Sequence, residues 1–379
     1  MSKVYFTSSR APVKEPHKWY QPSLSGVNKL DRLLNMSGIL EDIEKGEIIA
    51  LKMHFGIRGT TKSLRSMFIR KVAQMVKAKG GEPFVTETTG LGMLREQCFA
   101  LSKIEAAEAS GYTHQTLSAP IIIADGLRGF DCVEVSVDGS QLKKVYVAKQ
   151  IAEADKVISL AHFKGHMNAG FGGALKNIGI GCVAKTSKYD AHIYSPPNIN
   201  DNCTECGACV KICPVDAIID WKVDVEKCIR CQGCAEVCEE GAISFKWASS
   251  KDLSERFVDC AKAVLDLVGK ENIKYVNFLL DITPHCDCCP YSDNAIVPDL
   301  GILASDDILA IDKASVDMVN KAPVIADSMA QNADDKFHGM YGWVHSSDQL
   351  DAAKKLGLGE MEYELIEIDP IRDKSTLNK

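Results

Sequence analysis

A cysteine-rich stretch near the middle of the chain decides how the sequence is organised. Residues 203–214 read CTECGACVKICP, and residues 228–239 read CIRCQGCAEVCE. Both contain the spacing C-x2-C-x2-C-x3-C, and each cysteine of the second run lies 25 residues after its counterpart in the first. The same shift places Ala217-Ile218 on Ala242-Ile243. A whole structural unit is therefore duplicated, and each half is predicted to form a ligand loop, a short helical turn and a strand.

This spacing is typical of cysteines that bind 4Fe–4S clusters. A cube with four irons needs four thiolates, of which three come from one tight loop and the fourth from the distant half. We therefore predict one cluster bound by Cys203, Cys206, Cys209 and Cys238, and a second bound by Cys228, Cys231, Cys234 and Cys213. Residues 198–247 resemble the bacterial two-cluster ferredoxin domain, although Glu239 stands where that family often has proline. The resemblance implies a relay for single electrons.

Two alternatives to an electron relay remain. Zinc also binds paired C-x2-C motifs, although one zinc ion takes four ligands rather than two runs of four. The iron–sulfur clusters could also have a purely structural role.

Length and composition indicate what surrounds the repeat. The chain has 379 residues, 15 of them cysteine, with 46% hydrophobic and 25% charged residues, which is typical of a globular protein of two or three domains. An odd number of cysteines, and polar and charged residues throughout positions 1–16, argue against a secreted protein with disulfides. No run approaches 18 apolar residues, so we expect no membrane span and a cytoplasmic location.

Negative charge is concentrated in the cysteine repeat. The chain carries 44 basic and 51 acidic residues, a net charge of −7, and residues 198–247 contain nine of the acids but five of the bases. This balance argues against nucleic acid as the main partner. An acidic patch around the clusters would attract a basic redox partner protein. The alternative is that the charge only keeps a small domain soluble.

The remainder of the sequence alternates strand and helix patterns. Strands are predicted at 47–52, 84–86, 121–124, 157–160 and 275–280, helices at 62–79, 94–109 and 253–268, and a hairpin at 133–137 and 144–147. This alternation predicts an α/β fold with a mostly parallel sheet covered by helices and an inserted small α+β ferredoxin-like domain. Pro196-Pro197 marks the entry to the insertion. The predicted domains are therefore 1–196 and 249–379, which together form the outer α/β domain, and 197–248, which is inserted between them.

Three segments of the outer domain, residues 170–177, 286–290 and 299–312, carry a resemblance to a known family. They resemble a bacterial and archaeal family that is number 362 among the domains of unknown function, and some members contain an inserted ferredoxin domain. The resemblance implies an architecture more than an activity.

A second candidate site lies in the outer domain, at His162, His166, Lys176 and His192. The pattern His166-x9-Lys176-x15-His192 is distantly similar to lactate racemase, where a lysine tethers a nickel pincer nucleotide and histidines act as ligand and acid/base. The resemblance implies a binding cleft with these four as catalytic residues. Gly172 and Gly173 would let the backbone approach a bound cofactor closely. The alternative is an ordered glycine-rich loop whose histidines bond to backbone groups.

Arg58, Thr60, Thr61 and Lys62 precede a helix that is predicted to begin near Lys62. Free N–H groups at a helix N-terminus and nearby cations suit a carboxylate or a phosphate, so we predict that these residues bind a small anionic ligand. The alternative is an ordinary threonine cap with solvated bases.

Residues 285–289 read HCDCC. Three thiols and an imidazole within five residues can bind a metal or form a redox pair. Because Cys288 and Cys289 are adjacent, we expect Cys286 and Cys288 to bind an additional metal ion together with His162, His166 or His192. The alternative is a packing motif with buried thiols.

Three classes of function are consistent with these patterns. We favour an iron–sulfur oxidoreductase that passes single electrons through two 4Fe–4S clusters to or from a ligand or metal site in the α/β domain. The second class is an electron carrier or accessory subunit, in which the outer domain only docks a partner enzyme. The third is a non-redox isomerase similar to lactate racemase, in which the clusters are structural.

Overall fold

The computed structural model describes residues 1–13, 17 and 19–369. Positions 14–16 of the polar opening segment, and positions 370–379 at the end of the predicted second part of the outer domain, lie outside the described residues.

Sixteen strands are found in the described residues. They are β1 (Ser2–Ser8), β2 (Ile48–Lys52), β3 (Glu82–Glu87), β4 (Ile121–Ile123), β5 (Cys132–Ser136), β6 (Lys144–Ala148), β7 (Lys156–His162), β8 (Lys164–His166), β9 (Gly170–Gly172), β10 (Asn198–Ile199), β11 (Ile218–Ile219), β12 (Lys222–Val223), β13 (Ile243–Ser244), β14 (Ile273–Leu279), β15 (Gly301–Ser305) and β16 (Tyr363–Glu367).

Thirteen α-helices accompany them in the same described ranges. They are α1 (Gly26–Ser37), α2 (Ser66–Lys79), α3 (Ala100–Ala109), α4 (His114–Leu117), α5 (Lys149–Ala152), α6 (Ala174–Gly179), α7 (Lys185–His192), α8 (Ala208–Ile212), α9 (Gly233–Glu236), α10 (Ser250–Val268), α11 (Ile308–Lys321), α12 (Lys336–Met340) and α13 (Ser347–Lys355). Among the described residues, no helix is both long enough and apolar enough to cross a membrane.

Eight of the strands form one sheet, in the order β16-β1-β15-β14-β7-β2-β3-β4. Five of its seven pairings are parallel, and the two antiparallel ones both involve β15. The α/β fold with a mostly parallel sheet is thereby confirmed. The hairpin expected from alternation is also present, because β5 pairs antiparallel with β6.

Helices cover the sheet on both faces. Alternate residues of β2 illustrate the arrangement, because Ile49 and Leu51 belong to one buried core and Ala50 to the other. The helices α1, α2 and α4 pack together on the first side, and α6, α10, α11 and α13 on the second. A sheet that is buried on both faces explains why its strands are apolar almost without interruption.

Two predicted helices begin later than their sequence pattern suggested. The helix predicted at 62–79 begins at Ser66, after a loop. The helix predicted at 94–109 is divided into a 3-10 turn at Glu96–Cys98 and α3, because Phe99 between them is extended. Cationic groups of Arg128 and Lys185 lie over the Phe99 ring, and these contacts favour the break.

The segment predicted as an inserted domain contains β10–β13, α8 and α9. Its strands pair only with one another, β10 with β13 and β11 with β12, and its small core of Cys209, Ile218, Cys234 and Ile243 is separate from the two large ones. An antiparallel β-bridge between Ile193 and Trp247 connects the two ends of this segment to each other. The exact domain boundaries stay a prediction.

Candidate functional site

The eight cysteines of the repeat line two cavities. One cavity is lined by Cys203, Cys206, Cys209 and Cys238, and the other by Cys213, Cys228, Cys231 and Cys234. We call them the first and second cysteine cavities. Each receives three thiols from one run and the fourth from the other run, which is the crossed arrangement that the spacing predicts.

The backbone repeats as faithfully as the cysteines. Glu205 and Arg230 have φ values of 57° and 58°, and Gly207 and Gln232 have values of 77° and 68°. Each pair is separated by the same 25 residues. Because left-handed backbone is uncommon outside glycine, a non-glycine residue that retains it indicates that the ligand loop imposes this conformation.

Both crossing thiols accept a backbone hydrogen bond. The amide of Ala217 donates to Cys213 Sγ at 3.2 Å, and the amide of Ala242 donates to Cys238 Sγ at 3.3 Å. Hydrogen bonds to sulfur stabilise a thiolate, and they raise the reduction potential of a cluster that the thiolate binds.

The distances between the thiols bear on whether a site suits a cluster or a single zinc ion. Four sulfurs around one zinc at about 2.3 Å lie roughly 3.8 Å apart. Among the described residues, one group of three potential ligands has all its ligand atoms within 4.8 Å of one another. It consists of His166, Cys286 and Cys288 and contains no cysteine of the repeat. In the part of the chain that the structure describes, no three thiols of the repeat lie that close to one another.

A third cavity, of about 240 Å³, lies in the outer α/β part, and we call it the central cleft. Lys52, Glu87 and His162 line it, and they end the neighbouring parallel strands β2, β3 and β7. The carboxyl ends of parallel strands are where ligand sites form in α/β sheets. The cleft also receives His166, Lys176, His192, Gly172 and Gly173, so the structure brings together the residues that resemble the lactate racemase pattern.

Positive charge dominates the walls of the central cleft. Its cationic lining comprises Lys52, Lys103, Lys164, Lys176, Lys188 and Arg95, whereas Glu87 is its one carboxylate within the described residues. Such an excess of cations in a half-enclosed space favours an anionic ligand.

Glu87 is held by five groups, of which one is the Thr88 amide, at 3.3 Å from a carboxylate oxygen. Lys52 Nζ lies 3.0 Å from one carboxylate oxygen, and the other oxygen lies 3.7 Å from Lys103 Nζ, accepts the Phe55 amide at 3.2 Å and contacts His54 Nδ1. Burial alone would raise the pKa of this carboxyl, but Lys52, Lys103 and His54 hold it well below its usual value. Glu87 is therefore ionised and offsets part of the surrounding positive charge.

Two lysines of the cleft differ in how they are held. Lys188 is buried and donates to the Thr88 hydroxyl at 2.6 Å and to the Thr89 carbonyl, and burial lowers its pKa to about 8. Lys176 is half-buried, and among the described residues its amine has no hydrogen-bond or ion-pair partner. Lys176 is thus the cation of the cleft that is most available to a ligand.

His192 presents an unprotonated ring nitrogen. Its Nδ1 lies 2.7 Å from the Lys188 carbonyl, which can only accept, so Nδ1 carries the proton. Burial and the neighbouring Lys176 and Lys188 lower its pKa to about 4, so the ring is neutral near pH 7. The remaining Nε2 has a free lone pair, which suits a base or a ligand.

His162 has a different arrangement. Its Nδ1 lies 2.9 Å from the Asp287 carboxylate, and its Nε2 lies 3.0 Å from the Leu280 carbonyl and 3.2 Å from the Asp281 carbonyl. Both ring nitrogens therefore already contact oxygen atoms of the protein, and His162 is not in the group whose ligand atoms approach those of Cys286 and Cys288. The structure therefore does not support His162 as the histidine that joins Cys286 and Cys288.

His166 takes that place. Its ring lies within 4.8 Å of the thiols of Cys286 and Cys288. The amide of Cys288 points at Cys286 Sγ at 3.4 Å. Asp287, between the two cysteines, has Lys164 Nζ 3.1 Å from its carboxylate. Burial would raise the pKa of Asp287, but His162 and Lys164 lower it, so the carboxylate is charged.

The helix N-terminus on which the predicted anion site at Arg58, Thr60, Thr61 and Lys62 depends is not formed at these residues. Arg58 is exposed and pairs with Glu96 and Glu105, and none of the four lines the central cleft. The other three hold the loop that carries Cys286 and Cys288. Thr60 donates to the Cys289 carbonyl at 2.9 Å, for example, and Lys62 donates to the Asp293 carbonyl at 2.9 Å. No helix begins among them, because α2 starts at Ser66.

The glycines have separate roles. A Cβ on Gly173 would lie 2.3 Å from Asp312 Oδ1, whereas a Cβ on Gly172 would meet nothing closer than 3.6 Å. Asp312 accepts the amides of Ala174 and Leu175 at 2.8 Å each, so it caps α6. Gly173 therefore leaves the space that Asp312 needs to cap α6, and it also lines the cleft.

Several cleft residues were not recognised from sequence. Lys52, Glu87, Lys103, Lys164 and Lys188 belong to this group. One signal was available for the first two, because each is the polar residue that ends an apolar strand at the edge where sites form. Lys103 and Lys188 lie on helices and carry no local signal.

Together, fold and site define an α/β protein with a cationic cleft at the carboxyl end of its sheet and with two cysteine-lined cavities in a small adjoining segment. The chain belongs to the family described as domain of unknown function DUF362, whose model matches residues 49–317.

Known proteins similar to the chain match it only in part. Two uncharacterised proteins of Methanocaldococcus jannaschii are 40% identical over 52 residues and 42% identical over 45 residues, which are 14% and 12% of this chain. The matches span 22% and 18% of those relatives.

Two solved structures are also similar. The lactate racemase apoprotein from Thermoanaerobacterium thermosaccharolyticum has a TM-score of 0.34 at 13% identity, over 74% of this chain and 51% of that one. A Thermotoga maritima protein has a TM-score of 0.35 at 10% identity, over 66% of this chain and 50% of that one.

Proposed function

We propose that the protein is an iron–sulfur oxidoreductase in which two 4Fe–4S clusters exchange single electrons with a ligand in the central cleft. The observation that supports this most directly is the crossed distribution of the eight thiols over two cavities. A 4Fe–4S cluster, when bound, supplies one-electron chemistry at a low potential.

The chain's own residues fit this group. Four thiols line each cavity, and among the described residues no three thiols of the repeat lie within 4.8 Å of one another. Backbone amides donate to Cys213 and Cys238, which favours their thiolate form. Thiolate is the form in which cysteine binds a metal.

Exposure suggests which cavity faces a partner. In the first cavity Cys206 is exposed, whereas Cys231 and Cys234 of the second are each 8% exposed. Exposed Glu239 and Glu240 line the first cavity. We infer that a basic redox protein docks at the first cavity, guided by charge.

The second cavity lies against the wall of the central cleft. The Gly92 carbonyl accepts Lys185 Nζ at 3.1 Å and the Tyr189 hydroxyl at 3.2 Å. The amide of the next residue, Met93, donates at 2.8 Å to Glu236 on α9, the helix that contains Cys234 of the second cavity. Residues on either side of Gly92, such as Leu91 and Arg95, line the cleft. This contact favours an oxidoreductase over a carrier whose outer part only docks a partner.

In the cleft, the side chains can bind and orient a small anion. Lys176 has a free amine to bind it, and Lys188 contributes a second, buried cation. His192 Nε2 can accept a proton from a bound ligand, because its Nδ1 is fixed in the protonated form by the Lys188 carbonyl.

Double substitutions test the crossed ligand sets. The protein purified anaerobically should contain about eight irons and eight sulfides per chain, and reduction should give the paramagnetic signals of two clusters. Cys203→Ser and Cys238→Ser act on the same cavity, so the double variant should lose no more iron than either single one. Cys203→Ser with Cys213→Ser acts on both cavities and should lose most of the iron.

Cys132→Ser is the matched control, because Cys132 is half-exposed on β5 and lines neither cavity. It should keep its full iron content. Iron near zero in the unaltered protein, or equal losses in the two double variants, would contradict the proposal. Clusters that cannot be reduced reversibly would indicate a structural role.

A further inference from the structure

We propose that His166, Cys286 and Cys288 form a mononuclear site for a thiophilic divalent cation, and that this site opens onto the central cleft. It rests on the proposed function only in sharing the same cleft. The ligand atoms of the three residues lie within 4.8 Å of one another, and all three line the cleft. Two thiolates and an imidazole are a donor set that suits zinc and disfavours magnesium or calcium.

The loop geometry explains why two cysteines separated by one residue converge. The amide of Cys288 points back at Cys286 Sγ at 3.4 Å, so the chain turns within the motif. Cys289 lies outside the group of three. The loop is tied from behind by Thr60, whose hydroxyl donates to the carbonyls of Asp287 and Cys289.

Asp287 acts as a positioning residue for the two thiols. Its carboxylate is 2% exposed and lies 2.9 Å from His162 Nδ1 and 3.1 Å from Lys164 Nζ. These contacts fix the residue between the two ligands and so limit how far either thiol can move. Buried charged partners behind the direct ligands are typical of functional metal sites and affect their affinity by about 10–100-fold.

The three protein ligands leave one coordination position for a ligand from the cleft. A closed structural zinc site has four protein ligands, whereas a catalytic one has three and an open position. Two thiolates neutralise a divalent cation, so the net positive charge of Lys176, Lys188 and the other lysines remains. The fourth ligand is therefore expected to be an oxyanion of a small molecule, with Lys176 next to it.

The test is zinc binding by the full chain after anaerobic purification. X-ray absorption at the zinc edge is selective in the presence of iron. We expect one zinc per chain with two sulfurs at about 2.3 Å and one nitrogen at about 2.0–2.1 Å, together with a light fourth ligand. A shell of four sulfurs would place zinc in the cysteine cavities and would overturn the proposal.

Substitutions provide a second measurement. Cys286→Ser, Cys288→Ser and His166→Gln should each weaken zinc binding at least tenfold, and Asp287→Asn should weaken it by about 10–100-fold. Cys289→Ser is the matched control and should retain zinc, because its thiol is outside the group.

Iron content separates this proposal from the proposed function. About eight irons without any zinc would overturn the metal site alone, and one zinc with little iron would overturn the electron relay alone. Undiminished zinc in Cys286→Ser and Cys288→Ser, or its equal loss in Cys289→Ser, would also overturn the site. Full iron content in a variant shows that it has folded.

Discussion

At the scale of single residues, the buried carboxylate of Glu87 compensates part of the positive charge in the central cleft. Its side chain is 5% exposed and has Lys52 at 3.0 Å and Lys103 at 3.7 Å. Removing its charge leaves these lysines buried without compensation, so Glu87→Gln should lower the free energy of unfolding by about 3 kcal/mol or more. Denaturant unfolding measures this difference.

A surface carboxylate provides the control for this prediction. Glu96 pairs with Arg58 at 2.8 Å, but its side chain is 36% exposed and that of Arg58 is 51% exposed. Glu96→Gln should therefore cost about 0–1 kcal/mol. Equal effects of the two substitutions would contradict the importance of the buried charges.

The positions of side chains could be predicted where the signal is local. The eight cysteines lie in two short runs whose spacing is itself the signal. Glu87, in contrast, gains its role from Lys52 and Lys103, which lie on separate elements and meet it only in the folded chain. The contacts of His162 could not be predicted for the same reason, because Asp287, which contacts its Nδ1, is 125 residues away in the sequence.

At the scale of elements, strands were easier to predict than helix ends. Continuous apolar runs identify β2, β7 and β14, since a sheet that is covered on both faces demands them. The predicted start of α2 at residue 62 is wrong, because the residues before Ser66 have helical periodicity but instead bind the loop that carries Cys286 and Cys288. Lys62 donates to the carbonyl of Asp293, a contact that no local pattern reveals.

The N-terminus of α6 offers a test at this scale. Asp312 caps the helix from the neighbouring α11, and a Cβ on Gly173 would lie 2.3 Å from its Oδ1. Gly173→Ala should displace this cap and lower the free energy of unfolding by about 1–3 kcal/mol. Gly172→Ala, whose Cβ would meet nothing within 3.6 Å, should change it by less than about 0.5 kcal/mol. A smaller loss for Gly173→Ala than for Gly172→Ala, measured by denaturant unfolding, would refute the account.

At the scale of the whole molecule, the loop at residues 90–98 connects the small segment to the cleft. Glu236, at the end of α9, accepts the amides of Met93 and Leu94 at 2.8 and 2.9 Å and pairs with Arg95 at 3.1 Å. The same helix contains Cys234 of the second cavity. A group that fixes the Cys234 thiol of α9 is therefore expected to order this wall of the cleft as well.

Loss of the ligands in the second cavity should loosen that wall selectively. In Cys234→Ser, amide hydrogen exchange at residues 90–98 should accelerate at least tenfold, because α9 no longer holds Glu236 in place. Glu236→Gln should produce a smaller increase in the same residues while it retains full iron content, since only the charge of the contact is lost. Exchange in β1 and β16, at the opposite end of the sheet, should not change in either variant. An unchanged exchange rate at residues 90–98 in Cys234→Ser would contradict this coupling between the second cysteine cavity and the cleft. Faster exchange throughout the molecule would indicate that the substitution acts through global stability instead.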